Sequence, residues 1–304
     1  MKDLRAFYKK KRILVTGGAG FIGSHLAQTL ASYNAHVTVL DDFSTGCISN
    51  LSPFLSNISL IASDITSFKT CLKATKKQDI VFHLAAMTSV PESVNSPALC
   101  EKINSEGTSN LLEACKKNNV GTFLFSSSSA VYGERDDVCC EDDRPNPKSP
   151  YAKSKLAGEK LCIEYAQKHA MRTACLRYFN VYGSRQNPNG AYAGVVAKFK
   201  HNLANNKPII IYGDGTQTRD FVHVSRVVQA NLFVATLPTL QGDVFNIASG
   251  RSITLLELLE QLERETNKKR ADLLFEPARS GDILSSQASC KKYQKLTRTA
   301  ASVN

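Results

Sequence analysis

A tyrosine and a lysine near the middle of the chain have the spacing of a proton-transfer pair. Tyr151 and Lys155 lie four residues apart in Tyr-Ala-Lys-Ser-Lys. At the start of a helix, this spacing places both side chains on one face. A free tyrosine has a pKa of about 10, which is too high for a base at neutral pH. A neighbouring ammonium or bound cation would lower that pKa. Alone, such a pair is more often part of a solvated helix face.

A run of serines supplies a hydroxyl group upstream of this pair. Ser126-Ser127-Ser128-Ser129 follows a predicted strand and leads into Ala130-Val131-Tyr132-Gly133. The carboxyl end of a parallel strand faces the crevice in which ligands bind. A hydroxyl at that point can form a hydrogen bond with a reacting hydroxyl, although serine-rich turns are also common elsewhere.

A glycine-rich turn near the N-terminus predicts a dinucleotide site. Gly17, Gly20 and Gly23 follow a predicted strand and open a predicted helix, in Thr-Gly-Gly-Ala-Gly-Phe-Ile-Gly. Glycine lets the backbone approach a pyrophosphate, and the helix N-terminus offers amide donors. Asp41 follows the second predicted strand, where a carboxylate binds a ribose diol and repels a 2′-phosphate. The pattern therefore favours NAD over NADP.

The elements around these residues alternate between strands and helices, which predicts a parallel sheet covered on both faces. The predicted fold class is α/β, a Rossmann-type doubly wound sheet with a smaller C-terminal α/β substrate domain. The predicted strands are 12–16, 35–40, 59–62, 80–84, 122–126 and 173–178. The predicted helices are 22–33, 68–76, 97–118, 151–169 and 254–266. We predict an NAD-binding domain over 11–183 with a return segment at 218–250, and a substrate domain over 184–217 and 251–304.

Composition limits the classes of function. The 304 residues are 42% hydrophobic and 21% charged, with a formal net charge of +11. The basic residues are dispersed, so we expect an anionic substrate, with no nucleic acid or membrane as partner. Nine cysteines without metal-type spacing predict reduced thiols in a cytoplasmic protein and no metal site. The basic segment 1–12 is expected to be a solvated tail.

Together these pieces resemble the extended short-chain dehydrogenase/reductase family, specifically its UDP-glucose 4-epimerase branch. The likeness covers about residues 12–287 and includes these further motifs: His83-Leu84-Ala85-Ala86, Arg177-Tyr178-Phe179-Asn180-Val181-Tyr182-Gly183, Gly213-Asp214-Gly215-Thr216-Gln217-Thr218-Arg219-Asp220 and Phe245-Asn246-Ile247-Ala248-Ser249-Gly250. The resemblance implies a reversible oxidation at the sugar C4 with NAD as hydride acceptor. The sugar, now a 4-keto intermediate, rotates in the site before the hydride returns to its opposite face.

The resemblance also implies residue roles. Tyr151 is the base, Lys155 holds the nicotinamide ribose, and Ser128 assists catalysis. Cofactor contacts are expected at Gly17, Gly20, Phe21, Ile22, Gly23, Asp41, Asp42, Asp64, Ile65, Ala85, Ala86, Asn104, Tyr151, Lys155 and Tyr178. Substrate contacts are expected at Ser89, Ser128, Asn180, Val195, Tyr212, Arg219, Arg279, Asp282 and Ser286.

The choice among family reactions depends on a few positions. Dehydratases of the family carry an Asp-Glu pair where this chain has Ser129 and Ala130, so dehydration is disfavoured. Ser286 stands where a bulky residue would restrict the site to plain hexoses, which favours a UDP-N-acetylhexosamine or its uronic acid. A UDP-glucuronate decarboxylase, a UDP-glucuronate 4-epimerase and a non-catalytic NAD-binding protein remain alternatives.

Two further expectations come from the resemblance. Family members often form homodimers through two helices per subunit, here 97–118 and 151–169. The family usually ends in a helix on the substrate domain. Residues 290–304 are short and basic here and are expected to be only weakly amphipathic, a departure that could weaken that domain.

Overall fold

A seven-stranded parallel sheet forms the centre of the protein. The structure, a computed structural model, describes residues 3–135, 137–188, 194–278 and 283–302. The strands lie in the spatial order β3-β2-β1-β4-β5-β6-β11. In chain order they are β1 (Arg12–Thr16), β2 (His36–Asp41), β3 (Ile58–Ala62), β4 (Ile80–His83), β5 (Thr122–Ser128), β6 (Arg172–Tyr178) and β11 (Gln241–Ile247). This is the predicted Rossmann-type fold, because the order reverses at β1 and β4 as a doubly wound sheet requires.

Helices cover both faces of the sheet, and three small strand pairs lie outside it. The helices are α1 (Leu4–Tyr8), α2 (Phe21–Ser32), α3 (Phe68–Ala74), α4 (Val90–Asn95), α5 (Pro97–Glu101), α6 (Gly107–Lys117), α7 (Pro150–His169), α8 (Val195–Ala204), α9 (Val224–Val234), α10 (Leu255–Thr266) and α11 (Lys291–Ser302). The pairs are β7 (Val181–Tyr182) with β10 (Val222–His223), β8 (Ile209–Tyr212) with β13 (Leu273–Glu276), and β9 (Thr218–Asp220) with β12 (Ser252–Thr254).

The core follows from the two-residue period of the strands. On β1, Ile13 and Val15 enter the apolar cluster beneath α2 and α9, whereas Leu14 enters the cluster beneath α3, α6 and α7. A separate apolar cluster joins α8, α10 and β8, with Phe199 and Leu259 at its centre. The domain boundaries predicted above remain a prediction.

The N-terminal segment corrects one expectation. Residues 4–8 form a helix instead of a solvated tail, capped by the Asp3 carboxylate, which accepts hydrogen bonds from the amides of Arg5 and Ala6. Tyr8 is fully buried, and its hydroxyl donates to the carbonyl of Leu232 at 2.7 Å. The aromatic and aliphatic residues of this short segment therefore outweigh its basic charge.

The C-terminal segment corrects another. Residues 291–302 form a helix with Tyr293 and Leu296 packed on the main core. The Tyr293 ring meets Phe233 edge to face at 6.0 Å, and α11 lies beside the edge strand β11. The prediction of a weakly amphipathic end is wrong. The contact is with β11 and the main core of the sheet domain.

The helix predicted over 97–118 is interrupted. A π-helical turn, Lys102–Glu106, separates α5 from α6. Such turns are frequent at functional sites, and this one contains Asn104. The edge strand β11 lies within the segment that we predicted to return to the NAD-binding domain.

Candidate active site

The glycine turn is held so tightly against β4 that its first residue must be glycine. Gly17 has φ +66°, and a Cβ there would lie 2.6 Å from the amide nitrogen of Ala85. A Cβ on Gly23 would overlap the carbonyl oxygen of Gly17. Gly20 is the N-cap of α2, where no side chain covers the helix N-terminus, and Phe21 and Ile22 form its first turn. The turn thus presents backbone amides at a helix N-terminus, which suits a pyrophosphate.

Asp41 connects the glycine turn to the residues that follow β2. Its carboxylate accepts hydrogen bonds from the amides of Ala19, at 2.8 Å, and Phe43, at 2.9 Å. Burial raises the pKa of Asp41, and these two amide donors act against that rise. Asp42 is exposed and binds the amide and hydroxyl of Ser44. Asp41 therefore holds the glycine turn in place, and its contact with a ribose remains a prediction.

The three predicted catalytic residues come together at the ends of β5 and α7. Ser149 caps α7 by accepting from the amide of Ala152, so that Tyr151 lies in the first turn. The Tyr151 hydroxyl is hydrogen bonded to the side chain of Ser128, the last residue of β5. Lys155, one turn on, donates to the carbonyl of Ser126 at 2.9 Å, and its Nζ lies 5.8 Å from the centre of the Tyr151 ring.

The protein's own groups do not make Tyr151 a strong base. Burial raises the pKa of Tyr151, and the hydrogen bond from Ser128 offsets only part of that rise. Burial also lowers the pKa of Lys155 to about 8. The expected lowering of the tyrosine pKa is therefore absent from the chain by itself, because desolvation outweighs the hydrogen bond from Ser128. A cationic nicotinamide ring remains the expected source of the lowering.

The other predicted cofactor residues have structural partners of their own. Asn104 is buried. Its amide oxygen accepts from the amide of Met87, and its amide nitrogen donates to the carbonyl of Met87 and to the hydroxyl of Ser154. The Tyr178 hydroxyl is bonded to Ser126 and to Asn231. These two side chains are engaged by the protein, and their cofactor contacts remain predictions.

Asp64 and Ile65 lie after β3. The Asp64 carboxylate accepts from the amide and hydroxyl of Thr66, and Ile65 packs beneath Gly107. Ser67 caps α3 by accepting a hydrogen bond from the amide of Thr70. Thr66 and Ser67 therefore order the turn between β3 and α3. Ala85 and Ala86 follow β4 and are half-buried.

A buried histidine connects the glycine turn to the π turn. Thr16 Oγ1 lies 2.8 Å from His83 Nδ1, and Thr108 Oγ1 lies 2.9 Å from His83 Nε2. Because Thr108 donates its hydroxyl proton to the carbonyl of Asn104, it must accept from Nε2–H, so Nδ1 accepts from Thr16. Thr16 in turn accepts from the amide of Ala85. His83 is therefore a neutral strut, and burial lowers its pKa to about 3.

Replacing this strut is expected to change acid stability. Wild type should lose stability as the pH falls from 6.5 toward 3, by at most about 1.4 kcal/mol per pH unit from His83, because only the unfolded chain binds the proton. His83→Asn should lower stability at neutral pH by about 1–3 kcal/mol and remove this acid-dependent loss. Urea unfolding at pH 7 and pH 5, about two units apart, measures both. The exposed His36, changed to Asn, is the control. An unchanged pH slope in His83→Asn contradicts the assignment.

Apart from Ser128, the predicted substrate residues that the structure describes lie outside the seven-stranded sheet. Ser89 caps α4, Val195 opens α8, and Tyr212 ends β8. The Asn180 amide donates to the carbonyl of Asp220, and the Arg219 guanidinium donates to the carbonyl of Thr218. Arg279 and Asp282 lie outside the described residues.

Ser286 is buried near these strands. It is 6% exposed, and its carbonyl accepts a hydrogen bond from the hydroxyl of Ser252 on β12. The neighbouring Ser285 hydroxyl lies 3.1 Å from that of Thr218 on β9. The predicted gatekeeper thus lies against the β9–β12 pair, in a packed position.

Sequence reasoning missed the polar residues behind the catalytic set. Glu159 and Arg177 form a buried ion pair, Ser127 binds Glu159, and Asn231 holds Tyr178. Glu159 follows Lys155 by four residues, which is the same spacing that identified Lys155. Ser127 and Arg177 lie within motifs quoted above but were given no role there, and no local signal predicts their contacts with Glu159 or the contact of Asn231 with Tyr178.

The chemistry of the site fits NAD. The turn at Gly17 and Gly23 leaves room only for backbone, as a pyrophosphate cradle requires, and Asp41 lies beside it.

Within the described part of the chain, no group of three or more His, Cys, Asp or Glu side chains is arranged to hold a metal ion. All nine cysteines are free thiols, and seven are buried. None of the described helices is long and apolar enough to cross a membrane. The fold and the site together define an NAD-binding enzyme of the short-chain dehydrogenase/reductase type.

Comparison with known proteins agrees with this class. The family model described as NAD dependent epimerase/dehydratase matches residues 13–248. The chain is 37% identical to a putative UDP-glucose 4-epimerase of Methanocaldococcus jannaschii, over 93% of this chain and 92% of the relative. It is 34% identical to a UDP-N-acetyl-alpha-D-glucosaminuronate decarboxylase of Bacillus cytotoxicus, over 85% and 81%. The chain therefore belongs to the NAD-dependent epimerase/dehydratase family.

Solved structures are similar throughout. A UDP-N-acetylglucosamine 4-epimerase from Methanobrevibacter ruminantium, in complex with UDP-N-acetylmuramic acid, superposes with a TM-score of 0.91 at 37% identity, over 95% of this chain and 92% of that one. A UDP-glucose 4-epimerase of Thermus thermophilus in complex with NAD gives 0.87 at 34% identity, over 94% and 93%.

Proposed function

We propose that the protein is an NAD-dependent 4-epimerase of a UDP-hexose that supplies precursors of surface polysaccharide. The proposed substrate and product are UDP-N-acetylglucosamine and UDP-N-acetylgalactosamine, or the corresponding uronic acids. The observation that carries the proposal is the close placement of Ser128, the Tyr151 hydroxyl and Lys155, whose Nζ lies 5.8 Å from the centre of the Tyr151 ring, in a fold whose glycine turn suits a pyrophosphate. The relatives named for UDP-sugar 4-epimerisation support it.

The chain's residues divide the reaction between them. A bound NAD would supply the hydride acceptor for oxidation at the sugar C4 and the hydride donor for the reduction that follows. Ser128 forms a hydrogen bond with the reacting 4-hydroxyl. Tyr151 takes the proton of that hydroxyl during oxidation, and the same phenolic oxygen returns a proton to the sugar during reduction. Lys155 holds the nicotinamide ribose and faces the phenol ring with positive charge. Because one tyrosine serves both directions, the sugar must turn in the site between the two transfers.

The same strand end lacks the groups that dehydration needs. Ser129 and Ala130 begin a short 3₁₀ helix directly after Ser128, and the amide of Ala130 donates to Ser128 Oγ. No carboxyl group stands at either position to remove the 6-hydroxyl. This arrangement supports epimerisation over dehydration.

Purified protein with a panel of UDP-sugars tests the proposal. UDP-glucose, UDP-N-acetylglucosamine, UDP-glucuronate and UDP-N-acetylglucosaminuronate are incubated separately, and the products are identified by NMR. A C4 epimer of one of them is expected. Release of a UDP-pentose would instead identify the decarboxylase, which the similarity to the Bacillus cytotoxicus enzyme keeps as the second candidate. A complete lack of turnover would favour a non-catalytic NAD-binding protein.

Ser286→Tyr tests the N-acetyl preference. The larger side chain should lower kcat/KM for UDP-N-acetylglucosamine by about 100-fold and affect UDP-glucose by less than about tenfold, because only the former fills the space at C2. The kcat/KM ratio of the two substrates measures the effect. Ser285→Tyr, on the adjacent residue, is the control. Equal losses for both substrates would show that Ser286 does not face the C2 substituent.

A homodimer through 97–118 and 151–169 is also proposed. Val90, Val94 and Leu99 are exposed on α4 and α5, the helices that pack on α7. Apolar side chains exposed beside the predicted four-helix contact support it. Light scattering in solution measures the mass, and a monomer at micromolar concentration would contradict it.

A further inference from the structure

A buried ion pair lies directly behind the catalytic residues. The Arg177 guanidinium binds the Glu159 carboxylate at both ends, with Nε to Oε1 at 2.8 Å and Nη2 to Oε2 at 2.7 Å. The two side chains are only 4% and 3% exposed. Buried ion pairs of this kind add little net stability, because desolvation offsets the attraction. A gain in stability therefore does not explain why this pair lies here.

The pair joins the elements that carry the catalytic residues. Glu159 lies one turn beyond Lys155 and two turns beyond Tyr151 on α7, so the three share a face. Glu159 Oε1 also accepts a hydrogen bond from the hydroxyl of Ser127 at 2.5 Å. Ser127 directly precedes Ser128 on β5. Arg177 lies on β6, so α7, β5 and β6 meet at this one carboxylate.

On its other side, the pair contacts the loop that follows Ser128. The Arg177 guanidinium lies 4.6 Å above the centre of the Tyr132 ring, and the Tyr132 hydroxyl donates to Asn246 on β11 at 2.7 Å. These contacts hold the segment between Ser128 and Tyr132 in place.

Glu159 also supplies the charge that Lys155 faces. The titratable groups around Lys155 are Tyr151 and Glu159 on its own helix, Cys100 from α5 and His83 from β4. Burial raises the pKa values of Tyr151 and Cys100 and lowers that of His83, so these three are neutral at neutral pH. A Cys100 thiolate would raise the pKa of Lys155 most, but this thiol is protonated, so Glu159 is the remaining anion that favours the protonated lysine against desolvation.

We propose that the Glu159–Arg177 pair is a positioning device for the reaction, one that keeps Lys155 protonated and holds Ser128 against Tyr151. The inference rests on the epimerase activity proposed above. Glu159 touches no reacting atom, and it acts through Lys155 and through Ser127. Arg177 screens and orients the carboxylate.

Two single substitutions that remove opposite charges test this role. Glu159→Gln leaves a cation near Lys155, so the pH above which kcat declines should fall by about one unit. Arg177→Gln leaves the Glu159 carboxylate unscreened, so the same pH should rise. Both variants should lose about 10- to 100-fold in kcat, with KM for the UDP-sugar changed by less than about threefold. Glu164→Gln breaks the exposed Glu164–Lys168 pair on the same helix and should change neither kcat nor the pH above which kcat declines.

The dissociation constant for NAD as a function of pH, measured calorimetrically, gives the same comparison without turnover. Its pH dependence should shift in opposite directions in the two variants, even if the substrate is not the one proposed. Where Arg177→Gln does not fold, the Glu159→Gln/Arg177→Gln double variant should give a profile between wild type and Glu159→Gln. Shifts in the same direction, or none, would overturn the proposal and leave the pair a purely structural contact.

Discussion

Tyr151→Phe is expected to lower kcat for epimerisation by about 1,000-fold while NAD stays bound. The substitution removes only the hydroxyl that is hydrogen bonded to Ser128. The ring remains beside Lys155, and the hydrogen bond from Lys155 to the carbonyl of Ser126 is untouched. NMR assays at saturating UDP-sugar give kcat, and absorbance of the cofactor released on denaturation gives the NAD content.

Tyr165→Phe is the matched control for this prediction. Tyr165 lies on the same helix, and its hydroxyl donates to the Glu113 carboxylate at 3.1 Å, away from the site. It should retain wild-type activity. If Tyr151→Phe kept activity within about tenfold of wild type, another group would be the proton carrier.

Gly17→Ala is expected to yield protein that no longer retains NAD and is less stable by at least about 2 kcal/mol. An alanine in the left-handed region costs about 1–2 kcal/mol by itself. Its Cβ would also stand 2.6 Å from the Ala85 amide nitrogen and 2.8 Å from the Leu84 carbonyl carbon, and both of these are backbone atoms that cannot rotate away. The turn and the residues after β4 must therefore separate, which displaces the amides that we predict to face the pyrophosphate. Thermal unfolding and NAD content measure the two effects.

Gly121→Ala provides the comparison. Its Cβ would meet only the carbonyl oxygen of Asp79 at 3.6 Å, an ordinary contact distance. It should bind NAD as wild type does. Full NAD retention in Gly17→Ala would show that the turn tolerates a side chain and that the cofactor lies elsewhere.

The elements around the site were largely predictable because their signals are local. The strand at 12–16 was predicted with its observed limits, and the helix at 151–169 begins one residue earlier, at Pro150. Apolar runs bounded by glycine or polar residues specify such elements within a few positions. The π turn at Lys102–Glu106 has no such signal, since its residues are compatible with a continuous helix.

The ends of the chain show the limit of composition as a guide. Both were expected to add little to the fold because they are short and basic. Each instead forms a helix that packs a tyrosine on the core, with Tyr8 fully buried beneath α9 and Tyr293 half-buried against Phe233. The surface that accepts those rings is built by residues more than two hundred positions from Tyr8 and about sixty from Tyr293. No local pattern predicts that surface.

The sequence by itself determined the family, the Rossmann-type fold, and the residue types at the catalytic positions, because glycine spacing and a four-residue Tyr–Lys interval are properties of adjacent residues. The tertiary structure decided how those groups are tuned. It alone placed Glu159, Arg177 and Ser127 behind Lys155, and made His83 a neutral strut between Thr16 and Thr108. It also showed that the protein's own groups raise the pKa of Tyr151. Desolvation and charge pairing depend on three-dimensional neighbours, and those neighbours come from different strands and helices.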